Sequence, residues 1–154
     1  MVRDFILIII LISGNLVSDS LDSMVTYDEH FDIAIGYYNS QRYKLAESEF
    51  KKILIDRKNY SDPVSHLMLA KSQYFQNKII ECQRTCKSFL NKYPKSKYET
   101  NVRLLISDVL IRQEKYSNVV EELLPVRLEA QDSILQHNID YRILSSITIG
   151  ISSS

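Results

Sequence analysis

The stretch RYKLAESEF, residues 42–50, sits inside GYYNSQRYKLAESEFKKIL and sets the reading of the whole chain. Tyr43, Ala46 and Phe50 are three and four residues apart, which puts them on one face of a helix. A lone amphipathic helix has the same spacing, so recurrence decides what it means. It recurs. Tyr43-x-x-Ala46-x-x-x-Phe50 is followed 36 residues on by Ile79-x-x-Cys82-x-x-x-Cys86, and 37 residues later by Tyr116-x-x-Val119-x-x-x-Leu123.

The segments upstream keep the same register. Ala34, Ala70 and Ser107 are small residues nine positions before Tyr43, Ile79 and Tyr116. Ile33, Leu69 and Ile106 are their large apolar neighbours, and His30, His66 and Arg103 lie three positions further back. A polar tetrapeptide divides each unit: NSQR, FQNK and RQEK. Each unit therefore reads helix, short turn, helix. Two antiparallel helices approach closely only where a side chain is small, and bulkier neighbours then fill the space to either side. One such pair cannot bury its apolar face alone, whereas stacked pairs can.

The joints between units agree. In SDPVSHL (61–67), Ser61 or Asp62 is expected to cap a helix with Pro63 in its first turn. In NKYPKSKYE (91–99), Pro94 ends a helix and Ser96 is expected to cap the next. In LLPVRLEAQDSIL (123–135), Pro125 lies near a helix end and Asp132 or Ser133 starts another. The expected architecture is all-α, a right-handed solenoid of helix pairs with about three and a half repeats: residues 27–60, 63–97, 100–132 and a partial unit over 133–150.

These features resemble the tetratricopeptide repeat family: a small residue in the first helix, Tyr after the turn, Ala and Phe in the second helix, and Pro at the unit's end. The resemblance covers residues 24–130, with half a unit beyond. It departs from the family pattern at the turn, where Gln41, Asn77 and Glu114 stand in place of glycine. The segment KYPKSKYETNVRLLISDVLIRQEKYSNVV (92–120) is further similar to exported bacterial envelope repeats. Such repeats occur in outer-membrane barrel-assembly lipoproteins and Tol–Pal coordinator proteins, and ahead of periplasmic-binding-like domains in activators of cell-wall synthases.

The family register implies a binding groove lined by the first helices: Phe31, Ile35, Tyr38 and Asn39 in unit one, Leu67, Lys71, Tyr74 and Phe75 in unit two, and Leu104, Asp108, Ile111 and Arg112 in unit three. Tyr38 and Tyr74 fall at equivalent positions and make an aromatic strip, suited either to a ligand or to packing between units. The Lys/Asn set with which some cytosolic members clamp a peptide's terminal carboxylate is not reproduced, so a C-terminal-tail receptor is not expected.

Composition narrows the function. Lys plus Arg and Asp plus Glu are equal at 19 each, which argues against nucleic acid as the partner, since phosphate binding needs a concentrated cationic surplus. No glycine-rich phosphate loop, nucleophile elbow or HExxH motif occurs. His30 and His66 repeat 36 residues apart, but each takes the same packing position in its own unit, with no Cys or carboxylate joining both at ligand spacing. Cys82 and Cys86 are one helical turn apart at positions the other units fill with apolar side chains. They read as buried thiols, because a disulfide within one helical turn has poor geometry. No catalysis, cofactor, metal or small-molecule substrate is expected.

The two ends stand apart. MVRDFILIIILISGNLVSDS has Arg3, an apolar run from Phe5 to Ile12 and a small-x-small pattern at Ser18-Asp19-Ser20, the layout of a secretory signal peptide over residues 1–20. The run is shorter than the roughly 20 residues that span a bilayer, and an uncleaved anchor is the alternative. No Cys follows it for lipid attachment. At the other end, IDYRILSSITIGISSS (139–154) supplies one helix rich in Ile and Leu with no second helix after it. That edge is expected to dock a partner, with the chain as the front part of a longer protein.

The expectation is a non-catalytic scaffold of the bacterial periplasm or the periplasmic face of the outer membrane, holding a protein or peptide partner in envelope assembly. Any membrane association is expected to run through that partner. A regulatory front module for a solute-binding or cell-wall-synthase-activating protein is the second reading, and a cytoplasmic adaptor the third.

Overall fold

The computed structural model describes residues 27–56 and 62–152, and these form seven α-helices with no strand among them. In chain order they are α1 (Tyr27–Asn39), α2 (Tyr43–Asp56), α3 (Pro63–Phe75), α4 (Ile79–Lys92), α5 (Glu99–Arg112), α6 (Tyr116–Glu129) and α7 (Ser133–Ser152). The signal-peptide segment 1–20 and the alternative cap Ser61 lie outside the described residues. No helix among the described residues is long and apolar enough to cross a membrane.

Each helix packs on the next in sequence; in addition α3 meets α5, and α5 meets α7. The fold is thus helical and repeat-like, with contacts that run along the chain rather than folding back. Its burial follows the periodic columns. Ala34, Ala70 and Ser107 are buried, as are Ala46, Cys82 and Val119, and Phe50, Cys86 and Leu123. A fourth column, three residues further on, consists of Ile53, Phe89 and Val126, also buried. The second helices thus bury i, i+4 and i+7, the stripe of an amphipathic helix.

The turns at the centres of the pairs share one backbone geometry. Gln41, Asn77 and Glu114 have φ of 59°, 60° and 58°, the left-handed region that L-residues with a Cβ enter at a cost of about 1 kcal/mol. In each turn this residue donates its N–H to the carbonyl three back: Tyr38, Tyr74 and Ile111, all at 3.0 Å. The next residue donates to the carbonyl five back, Arg42 to Tyr37 at 2.8 Å, Lys78 to Gln73 at 2.9 Å and Lys115 to Leu110 at 2.9 Å. Those bonds close the first helix as a Schellman-type cap and satisfy carbonyls that would otherwise be orphaned. The geometry is that of a glycine turn, without the glycine.

The joints between pairs are polar. Glu47 on α2 is buried, yet it accepts from Lys51 Nζ at 2.7 Å, from Lys78 Nζ at 2.6 Å and from Gln76 Nε2 at 2.8 Å. The same two positions meet one pair later, where Gln113 Nε2 donates to Gln83 Oε1 at 3.3 Å. Burial pushes the Glu47 carboxyl up, but the hydrogen bonds from Lys51, Lys78 and Gln76 outweigh it and hold the group down at about 2.

Helix ends follow the sequence in two places out of three. Asp62 caps α3, its Oδ1 accepting from Ser65 N at 3.0 Å with Pro63 in the first turn, and Asp132 caps α7, accepting from Leu135 N at 2.7 Å. Ser96 does not cap α5. That helix starts at Glu99, and Ser96 Oγ accepts from Tyr98 N at 3.3 Å within the preceding turn. The reason is the left-handed Lys95, at φ 62°, which uses up the residues after Pro94 in reversing the chain. Pro125 lies inside α6, four residues before its end.

Candidate functional site

The first helices α1, α3 and α5 present a shallow recess of about 240 Å³ lined by Tyr38, Lys71, Tyr74, Phe75, Asn101, Leu104, Leu105 and Asp108. Six of these, all but Asn101 and Leu105, are among the twelve groove positions implied by the family register. Asn101 lies one helical turn before Leu104, and that spacing was the signal available for it.

The remaining positions divide. Phe31 packs edge-on against Phe50 with centroids 6.1 Å apart, and Ile35 packs beside it on the core. Asn39 is exposed at the end of α1. Leu67 is buried among the core residues of α4 and α5. Ile111 is half-buried against the same core, while Arg112 is exposed and lies over the Tyr74 ring, 4.0 Å from its centroid.

An aromatic cluster forms one wall of the recess. Phe75 stacks on Tyr43 with centroids 4.8 Å apart and meets the edges of Tyr38 at 6.1 Å and Tyr74 at 5.6 Å. Tyr38 also meets Tyr43 at 5.4 Å. These rings come from three helices and two pairs, so they join neighbouring pairs while leaving part of their faces toward solvent; Phe75 is 51% exposed. Burial, and then the neighbouring Tyr43, raises the Tyr38 pKa, so it remains a neutral hydroxyl able to donate or accept.

The charges are arranged asymmetrically. Asp108 receives Arg142 from α7 in an ion pair that also brings Arg142 Nη1 to Ser107 Oγ at 3.3 Å. Arg112 is held by the Tyr74 ring and by Asn77 Oδ1 at 3.2 Å. Lys71 makes no ion pair among the described residues. The local balance at the recess is therefore cationic, because its one carboxylate is already neutralised.

The residues singled out for metal or redox chemistry sit in packing positions. His30 Nδ1 lies 3.5 Å from Glu49 Oε2, and Arg103 at the equivalent position bonds Glu122 at 2.7 Å. His66 meets Phe89 and Tyr93 edge-on at 6.0 and 5.6 Å, and burial, with Lys92 nearby, lowers its pKa. Cys82 and Cys86 are free, buried thiols, and the Cys82 thiol together with burial pushes Cys86 far above the usual thiol range. A thiol in that state is a poor nucleophile.

Comparison with protein-family models, with curated proteins and with solved structures finds no match to this chain.

Proposed function

We propose that this chain is a non-catalytic scaffold built as a right-handed helical solenoid of the tetratricopeptide type, exported to the cell envelope, that holds a protein or peptide segment against its first helices. The observation carrying this reading is the recess lined jointly by Tyr38, Lys71, Tyr74, Phe75, Leu104 and Asp108, drawn from three successive first helices. Half-exposed rings with a polar tip suit a protein ligand, since they supply large contact area at small loss of conformational entropy. Lys71 and Arg112 favour a ligand segment that places a carboxylate beside an apolar or aromatic side chain.

The test is photo-crosslinking in the native host from a photoreactive residue at position 74, followed by mass spectrometry. The expected result is one dominant envelope-protein adduct that is lost when Tyr38→Ala is added. No adduct, or adducts only between copies of this chain, would assign Tyr74 to packing between pairs and remove the groove reading.

A further inference from the structure

Lys71 and Asp108 occupy the same place in successive first helices. Two buried columns, one of Ser65, Val102 and Ile139 and one of Ser72, Val109 and Ser146, set α3, α5 and α7 in a common register, each residue 37 after the one before. In that register Leu144 is equivalent to Ala70 and Ser107, and Lys71, Asp108 and Ser145 share the next column. Lys71 and Asp108 also line the same recess, with opposite charges. Paired with each other they would leave it neutral. A different pair forms: Asp108 is taken by Arg142 of α7, and Lys71 makes no ion pair among the described residues.

Arg142 is well anchored. Its Nε donates to Asn138 Oδ1 at 2.8 Å, one turn back on α7. Its Nη1 donates to Asp108 Oδ1, and the same nitrogen lies 3.3 Å from Ser107 Oγ. The Arg142 and Asp108 side chains are only 23% and 30% exposed, and a pair so placed is screened less than one on the open surface.

We propose that Arg142 is the residue that sets which ligand charge the recess accepts. By occupying Asp108 it leaves Lys71 as an ammonium with donors to spare and no acceptor of its own. The segment held is therefore acidic: its carboxylate meets Lys71, and an apolar or aromatic neighbour covers Phe75. Lys71 and Arg142 against Asp108 leave a surplus of positive charge, and Arg112 over the Tyr74 ring adds to it at the rim. Without Arg142, Asp108 is free to take Lys71 or a cation of the ligand, and the preference for acid is lost. This inference rests on the groove reading above, and it adds a specificity-determining residue from a helix that lines no part of the recess.

The test is to pan the immobilised full chain against a phage-displayed library of random linear peptides, then to measure the affinities of enriched peptides by fluorescence polarisation. Enriched peptides are expected to carry net negative charge beside a large apolar or aromatic residue, and to lose binding on Tyr74→Ala. Lys71→Gln and Arg142→Gln are each expected to weaken them about five- to tenfold, the scale of one partly exposed charge contact. Asp108→Asn added to Arg142→Gln is expected to return the affinity to within about twofold of wild type, because no carboxylate then remains to occupy Lys71. A role of Arg142 confined to tying α7 to α5 would not be rescued in this way, and circular dichroism checks that helix content is kept. Neutral or basic peptides that depend on Tyr74 would overturn this inference and leave the groove reading standing. So would acidic peptides whose affinity ignores Arg142→Gln, or does not recover in the double variant. No enrichment, or peptides indifferent to Tyr74→Ala, would remove the groove reading and this inference with it.

Discussion

At the residue scale the most informative side chain is Glu47. A carboxylate so fully buried is tolerated because three donors converge on it, two of them from the turn of the following pair. Its pKa in the folded chain, about 2 against an ordinary 4.5, fixes the sign of its effect on stability. Above pH 4.5 the group is ionised both folded and unfolded, and its full contribution is present. As pH falls toward 2 the unfolded chain takes up the proton first, and the contribution is lost. Allowing for the solvent-exposed Lys51 and Lys78 ammonium groups, that contribution is about 1–3 kcal/mol. Glu47→Gln should therefore lower the urea-unfolding free energy by that amount at pH 7, with the gap to wild type closing as the pH approaches 2. An equal gap at both ends would show that the carboxylate charge plays no part.

At the element scale one position does opposite things in different helices. Ala70 lies where α3 is covered by α4, and there is no room for a larger side chain at the crossing. Ala70→Leu should destabilise by about 1–3 kcal/mol through overpacking. Leu144→Ala, at the equivalent place on α7, removes a mostly exposed side chain and should change stability in dilute solution by less than about 0.5 kcal/mol. Paired urea titrations give both numbers; comparable losses would mean that the register linking α7 to α3 is wrong. The same contrast marks what was legible in the sequence. The small and apolar columns could be read from their spacing, because a helical stripe is a local pattern. Ile33 could not: it is 44% exposed where Leu69 and Ile106 are 8% and 3%, because that position packs on the preceding pair. Nor could the neutralisation of Asp108 by Arg142, 34 residues away, or the burial of Leu67. These depend on which helix lies opposite, and spacing within one helix is silent on that. Ser96 failed as a cap for a related reason, since the backbone turn at Lys95 has no signature in residue type.

At the scale of the whole molecule, contacts pass mainly from each helix to the next, so stability is expected to accumulate locally along the chain. The core is correspondingly divided. Ala34, Ala46, Phe50, Ile53 and Leu69 form a small cluster where α1 and α2 meet α3, while the larger cluster runs from Leu67 through α4, α5 and α6 to Ile139. Helices α2 to α6 each pack on both chain neighbours, but α4, α5 and α6 carry most of the larger cluster, while α7 keeps one face exposed. Cooperative unfolding as a single unit is therefore not expected. Hydrogen exchange followed by mass spectrometry should find amides of α4–α6 the slowest, with α1–α2 and the far end of α7 exchanging at lower free energy. Phe50→Ala sharpens the test. It removes the largest fully buried side chain of the small cluster, a change that typically costs about 3–5 kcal/mol. It should release α1 and α2 to fast exchange while leaving α5 and α6 protected. Loss of protection in α5 and α6 as well would mean that the two clusters fold as one.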